Sequence, residues 1–587
     1  MRPTVPSARG KPKVRQVTEP NQQSPHARPR VFVVRGDLLN LACDHVVIPT
    51  DRFRYVEPYW HDHLRSVGIE VTDGIARPGR AGTEIADRQR VYGPFSERAP
   101  AGEPIRRAPR ATWLLAAADA APDAQAPASD QDLEPLDEAL AEFRGRYLDH
   151  RRAEPGGEAR KGQRSVIALP LLGSGRGGFR QRMRAYAREL MGRLDVFAED
   201  LDADVVVVVH GAGRHATAWM ETCRRALRDP DGAARSGRAS AGRSIAQSSS
   251  TWCVGQPVMP GRAPDSGPAA IDQLRSHAAA GSLVPFFGSG VSLGSSAPSW
   301  SELLSQMERN HDAAPVAMDV DLFDRAQILL QQVGEQALRD ELRGAFAGLR
   351  PNLLHLLLAG LEARDAVTTN FDQLYEEAVD AGFGQVLSVI PMEGDERRLL
   401  KLHGSLPVGG AEPVPGHPVL TREDVIEHGL TAGVLRGALQ MLLLTGHVLF
   451  VGYGMGDPSL YQALFEIRRI RRSAGLQGEG PVATALMAVP AHDLSRLWGP
   501  DVTVLWPENA TTADPAVGGS HIAELLDLLV DERAFGDVPV LAFEDAELTP
   551  TERRLRELLG GLRQHYEEVG HPPPEVAALL RRYGASS

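Results

Sequence analysis

Cysteine is nearly absent: Cys43, Cys223 and Cys253 are the three in 587 residues, far apart and without a CxxC pair. That excludes a disulfide framework and a four-cysteine zinc site, and it suits a reducing, cytoplasmic setting. Lysine is almost as scarce, occurring only at Lys11, Lys13, Lys161 and Lys401, so arginine carries the positive charge. The formal net charge of −12 is the wrong sign for a mainly electrostatic nucleic-acid binder, and no specific nucleic-acid partner is expected. No apolar stretch interrupts residues 1–29, which are basic and Pro-rich and read as a disordered tail rather than a secretory signal. One window, "GALQMLLLTGHVLFVGYGMG" (437–456), lacks formal charge over a membrane-spanning length. Gln440, Thr445, His447 and its glycines break that window into a buried helix, a turn and a buried strand, so no membrane partner is expected.

What the chain does contain is strand and helix signal in two dense blocks. Between them lies a Gly/Ser/Arg/Ala-rich stretch, 229–267, whose composition cannot offset its own ordering entropy and which reads as a flexible linker. In the first block, 30–228, the apolar runs "RVFVVRG", "HVVIPT", "ATWLLAAA", "RSVIALPLL" and "DADVVVVVHG" alternate with helix-like segments, indicating a sheet covered on both faces in three α/β/α layers. In the second, 268–540, short apolar strands each lead through a polar turn into a helix, the pattern of a doubly wound parallel sheet that binds ligands at the carboxyl ends of its strands. Residues 541–587 form an amphipathic helical tail expected to dock on the body.

Four turns of the second block carry chemistry. "LVPFFGSGVS" (283–292) runs from a strand into Gly288, Ser289 and Gly290 with Ser292 beyond, a turn bare enough for a pyrophosphate to approach backbone N–H groups. "AVTTNFDQL" places Asn370 and Asp372 between a strand and a helix, where they also suit capping. "LLKLHGSL" places His403 at a strand end, and histidine is the usual general base near neutral pH. "LFVGYGMGDPSL" runs into Gly452, Tyr453 and Gly454, with Asp457-Pro458 stopping the turn.

Taken in order, these four motifs resemble the sirtuin-like NAD-binding domain, in the branch associated with bacterial defence, over roughly residues 270–510. The resemblance implies a Rossmann-like fold with NAD+ as substrate. Gly288, Ser289, Gly290 and Ser292 match the loop around the pyrophosphate and adjacent ribose, and Asn370 and Asp372 match the pair lining the nicotinamide-ribose pocket. His403 matches the catalytic base, and Gly452, Tyr453 and Gly454 match the loop on the adenosine side. The deacetylase branch carries a four-cysteine zinc module after the histidine, whereas here no cysteine follows Cys253. That departure points away from deacylation and towards zinc-free cleavage of the nicotinamide–ribose bond, with water as acceptor and no metal.

The first block resembles the macro domain, an ADP-ribose-binding α/β/α fold. Asp37 of "RGD" matches the aspartate that contacts adenine, and Gly173, Ser174, Gly175, Arg176, Gly177 and Gly178 match the loop around the diphosphate. The segment after the second strand reads "IPTDRF" where the family is asparagine-rich, which favours ligand binding over hydrolysis. Together the two resemblances imply a cytoplasmic NAD+ glycohydrolase acting in abortive antiphage defence, similar to Thoeris effectors. Such an enzyme would be switched by an ADP-ribose-derived signal and assembled as a homo-oligomer. The alternatives are a protein ADP-ribosyltransferase and a non-catalytic NAD or ADP-ribose sensor.

Overall fold

The computed structural model describes residues 29–77, 89–96, 111–118, 133–153, 164–172, 183–211, 214–228, 252–255, 267–317, 319–385, 387, 397–406, 418–431, 433–475, 480–499, 501–534, 548, 550–570, 572–573, 576–577, 579–580 and 583. Strands are numbered in chain order. β1 is Val31–Arg35, β2 His45–Asp51, β3 Glu70–Thr72, β4 Ile75–Arg77, β5 Val91–Ser96, β6 Ala111–Ala118, β7 Ser165–Pro170, β8 Ala203–Val209 and β9 Trp252–Val254. In the second block, β10 is Leu283–Phe287, β11 Asp365–Thr368, β12 Arg398–Lys401, β13 His447–Val451, β14 Ala483–Leu486 and β15 Val502–Pro507.

Among the described residues the first block forms a six-stranded sheet in the order β1-β8-β7-β2-β6-β5. Its strands are parallel except for the edge strand β5. The five apolar runs identified from sequence are β1, β2, β6, β7 and β8. β5 and the β3–β4 hairpin give weaker signals: β5 carries Pro94 within "VYGPFS", and the hairpin turns on Asp73 and Gly74, both at positive φ.

The second block forms a seven-stranded sheet, β12-β11-β10-β13-β14-β15-β9, parallel but for β9 at its edge. β10 lies between β11 and β13, so successive strands wind outwards from β10 in both directions, and the order reverses beside it. The edge strand β9 falls inside the stretch read as a flexible linker. Trp252–Val254 is ordered against Leu505–Pro507, which corrects that boundary.

The two blocks share a helical layer. One face of the first sheet, through Val31, Val33, Val205 and Val207, packs on the helices Glu134–Ala153, Met183–Leu201 and Arg214–Arg228. The opposite face, through Phe32, Val34, Val206 and Val208, joins one continuous core with Leu356, Leu357, Tyr375, Val379, Leu526 and Val530. Those residues belong to the helices Leu353–Gly360, Leu374–Phe383 and Pro515–Ala534, which also cover Leu283, Phe287, Leu449 and Val451 of the second sheet. The third layer expected for the first block is thus largely supplied by the second. The helix Pro550–Val569 docks on the outer helices of the first block, with Leu559 in their core and Glu552 paired to Arg184 at 3.1 Å. No helix among the described residues is long and apolar enough to cross a membrane, and 437–456 divides into the helix Gly433–Thr445 and β13.

Candidate functional site

The four motif loops meet where β12, β11, β10 and β13 end side by side, at the point where strand order reverses. The two glycine loops pack backbone to backbone. Gly288 N donates to Val451 O at 3.1 Å and Gly290 N to Gly452 O at 2.9 Å. A Cβ on Gly290 would stand 2.8 Å from the Gly452 backbone, and Gly452 sits at φ +59°, where a Cβ would stand 2.6 Å from Val291 N. These amides, expected to be bare, are therefore spent on the neighbouring loop. Gly288, Gly290 and Gly452 permit that close approach, whereas Gly454 and Gly456 face open space. Tyr453 packs its ring on Phe286 at 4.6 Å, with its hydroxyl buried, and contributes to the core beneath the loop.

Ser292, Asn370 and Asp372 come together in one hydrogen-bonded cluster. Ser292 Oγ donates to Asp372 Oδ2 at 2.9 Å and accepts from Asn370 Nδ2 at 3.1 Å. Asn370 Nδ2 also donates to Gly288 O at 3.2 Å, and Thr368 Oγ1 receives Asn370 N at 3.0 Å. Both Asn370 and Asp372 are 6% exposed. Asp372 Oδ1 accepts Leu374 N at 3.2 Å, so the same carboxylate stabilises the first turn of the helix Leu374–Phe383. With its NH2 group fixed by two acceptors, Asn370 keeps its amide oxygen as the group able to orient a hydroxyl or a water.

Two buried residues that sequence reading passed over hold this cluster. His355 follows Asn352 by three residues in a reciprocal cap: its Nδ1 accepts Asn352 N at 3.2 Å, and its Nε2 faces Ser292 Oγ at 3.5 Å. Burial pushes His355 down to about 4 against the opposing pull of Asp372, so the ring is neutral and donates from Nε2. Lys401, fully buried, donates from Nζ to Asp372 O and to Glu376 Oε1, both at 2.6 Å. One of four lysines in the chain, set inside the apolar strand "LLKL", was the available signal for it. "PNLLH" was the signal for His355, as a cap pattern ahead of an apolar helix.

His403 lies two residues beyond β12 and its Nε2 stands 2.5 Å from Asp457 Oδ2. Asp457 caps the helix Pro458–Ser473 by accepting Ser459 N at 2.6 Å. The His403 loop is tied to the Asn370 loop by Gln373 Nε2, which donates to Ser405 Oγ at 3.0 Å and Leu406 O at 2.9 Å. A helical lobe with its own core, including Leu303, Leu329, Leu338 and Leu342, stands against the same loop through Leu406 and Leu420.

Residues 364–498, from β11 into the helix His492–Trp498, match the SIR2-like domain family. That stretch is similar to SIR2-like domains. The chain is 27% identical over 215 residues to "Defense-associated sirtuin 2" of Bacillus subtilis, a match covering 35% of this chain and 21% of that protein. Two solved structures align more distantly. A SIR2 homologue in complex with NAD is 14% identical, covering 44% of this chain and 92% of that one at a TM-score of 0.25. Sir2Tm bound to a propionylated peptide is 15% identical, covering 41% and 90% at 0.22.

In the first block a cavity of about 270 Å³ opens at the carboxyl ends of β1, β7 and β8, lined by Leu38, Tyr59, Trp60, Leu171, His210 and Trp219. Asp37 caps the turn Leu38–Asn40 through Leu39 N at 2.8 Å and accepts the Tyr59 hydroxyl. Burial, then this bond, raise the Tyr59 hydroxyl above its ordinary range. Tyr59 is 40% exposed, meets Trp60 edge-on and His210 at a tilt, and forms part of the cavity wall. Gly173, Ser174, Gly175, Arg176, Gly177 and Gly178 lie outside the described residues. Among the described residues no cluster of three metal-ligating side chains occurs.

Proposed function

We propose that the SIR2-like block cleaves the nicotinamide–ribose bond of NAD+ with water as acceptor, releasing nicotinamide and ADP-ribose, and that the chain acts as an antiphage effector. The observation that carries this reading is the convergence of Asn370, Ser292 and Asp372 with His403 at the strand-order reversal of a SIR2-like domain. The defence role rests on the similarity to a defense-associated sirtuin. Nicotinamide leaves a cationic pyridinium as a neutral group, so the leaving group needs no acid. The demand falls on stabilising the oxocarbenium-like ribose and placing the nucleophile. The Asn370 amide oxygen orients water or a ribose hydroxyl, and His403 takes the proton as the water oxygen bonds to the anomeric carbon.

The first block, on this reading, is a macro-like module that binds an ADP-ribose-derived signal in the cavity beside Asp37 and Tyr59. Its aromatic wall supplies stacking surface, and the shared helical layer joins it directly to the Asn370 loop. The test is nicotinamide release from NAD+ by the full chain, with and without ADP-ribose and its cyclic isomers, beside Asn370→Ala and His403→Ala. Release by the parent that both variants lose supports hydrolysis. No release under any condition ends the proposal, and label transferred to protein identifies a transferase instead.

A further inference from the structure

β12 and β13 are separated by β11 and β10, three strand spacings or about 14 Å. His403, beyond β12, and Asp457, beyond β13, nonetheless touch. The loop 452–456 makes the crossing. It leaves β13 through Gly452 at positive φ and is pinned by Met455, fully buried in the core with a left-handed backbone of its own. It therefore delivers Asp457 over the ends of the two strands whose loops carry Ser292 and Asn370. A turn stop would need none of this: Pro458 and any capping residue would end the loop equally well on its own side of the sheet.

The two carboxylate oxygens of Asp457 are divided between two tasks. One accepts Ser459 N at the head of the helix, which fixes the carboxylate in place, and the other faces the His403 ring. Burial works to raise the Asp457 carboxyl, but the contact with His403 and the hydrogen bond from Ser459 N outweigh it and hold the group below its usual range. An ionised carboxylate only accepts, so the ring nitrogen facing it, Nε2, carries the proton.

We propose that Asp457 is a positioning residue for His403: it fixes the ring orientation and the Nε2–H tautomer, which makes Nδ1 the proton-accepting nitrogen. The proposal rests on the NAD-cleaving reading for its rate consequences, though not for the tautomer. In the step it serves, the water oxygen bonds to the anomeric carbon as the bond to nicotinamide nitrogen breaks, the electron pair leaving with nicotinamide. The water proton passes to Nδ1, and the imidazolium so formed lies against the carboxylate until it releases that proton to solvent. An orienting carboxylate behind a histidine base has the same physical logic in the serine hydrolases.

The discriminating variant is Asp457→Asn, because asparagine caps a helix about as well as aspartate and so preserves the helix start. Turnover of NAD+ is expected to fall about 10²- to 10⁴-fold, with KM within about threefold, since an amide can present its NH2 to Nε2 and favour the wrong tautomer. A second readout is independent of activity: 15N NMR of ring-labelled histidine, with the His403 resonances assigned by their loss in His403→Gln. The parent should show His403 as the Nε2–H tautomer, and Asp457→Asn should lose that preference. Unchanged or faster turnover in Asp457→Asn overturns the proposal, faster turnover marking the contact as a barrier over the cleft. An Nδ1–H tautomer in the parent overturns it as well. A parent that releases no nicotinamide defeats the proposed function instead, and the tautomer measurement then decides the positioning role alone.

Discussion

Ser292 and Asp372, 80 residues apart in the chain, share a hydrogen bond of 2.9 Å that joins the first glycine loop to the head of the helix Leu374–Phe383. Three further groups converge on the same hydroxyl or carboxylate: Asn370 Nδ2, His355 Nε2 and Leu374 N. Ser292→Ala deletes a donor and an acceptor at once and leaves a buried carboxylate short of a partner. A loss of about 1–3 kcal/mol in unfolding free energy is expected, together with at least a tenfold fall in nicotinamide release. Denaturant unfolding and the release assay check the two effects separately, and unchanged stability would show that the hydroxyl does not tie the loops.

The glycines of the two loops should respond to different degrees. Gly290→Ala forces a Cβ to within 2.8 Å of Gly452 backbone atoms that have no flexible end to move, so the loops must separate. About 1–3 kcal/mol of stability should go with that, and NAD+ cleavage with it. Gly454→Ala meets nothing within 4 Å and should leave the melting temperature in place. If NAD+ passes over this loop, the added methyl raises KM several-fold in steady-state kinetics.

The contrast between those glycines marks how far the sequence can be read. "GSG" and "GYG" announce turns after apolar strands, and the strands and turns are there. Which amides those turns leave available depends on two loops more than 150 residues apart, and no local pattern reports that Gly288 N and Gly290 N are occupied by Val451 and Gly452. The same limit applies to the shared layer. Leu353–Gly360 reads LLHLLLAG, apolar almost all round, but an apolar run says that a helix is buried, not that it is buried against two sheets. Asp457 read as a turn stop because its capping role is local and its contact with His403 is not. Asn370 and His403 stood out because each follows a strand in a motif with a family resemblance.

The two blocks are also held together by charge. Arg224, 4% exposed, donates to Val33 O at 2.9 Å, pairs with Asp527 at 2.9 Å and contacts Asp531. Replacing it by methionine keeps much of the volume but leaves two carboxylates buried at the interface without this partner. Such a loss costs about 3–5 kcal/mol. Arg224→Met should therefore melt well below the parent, and adding Asp527→Asn and Asp531→Asn should recover part of the difference. Additive losses in the triple variant would show that these charges do not act as one unit.

Two buried groups set opposite limbs of the stability profile. His355 is held down to about 4 by burial, with Asp372 opposing, from an ordinary value of 6.5. Between pH 6.5 and 4 the unfolded chain takes up a proton that the folded one refuses, so stability falls as pH falls through that window. At about 1.4 kcal/mol per pH unit, the loss is about 3 kcal/mol. His45 and His447, lowered to about 4 and about 3 by burial, act in the same direction, so His355→Gln should flatten the acid limb in part rather than abolish it. Glu221 behaves inversely: burial raises it to about 7 from 4.5, with Arg224 opposing. From pH 4.5 to about 7 the folded chain keeps a proton that the unfolded chain releases, so stability present below pH 4.5 is lost as pH rises. Glu221→Gln carries no such penalty and should be the more stable protein at pH 8, by up to about 3 kcal/mol. Urea unfolding of both variants across pH 4.5–8 separates the limbs, and a Glu221→Gln curve lying on the parent's at pH 8 would refute the assignment of the alkaline limb to this carboxyl.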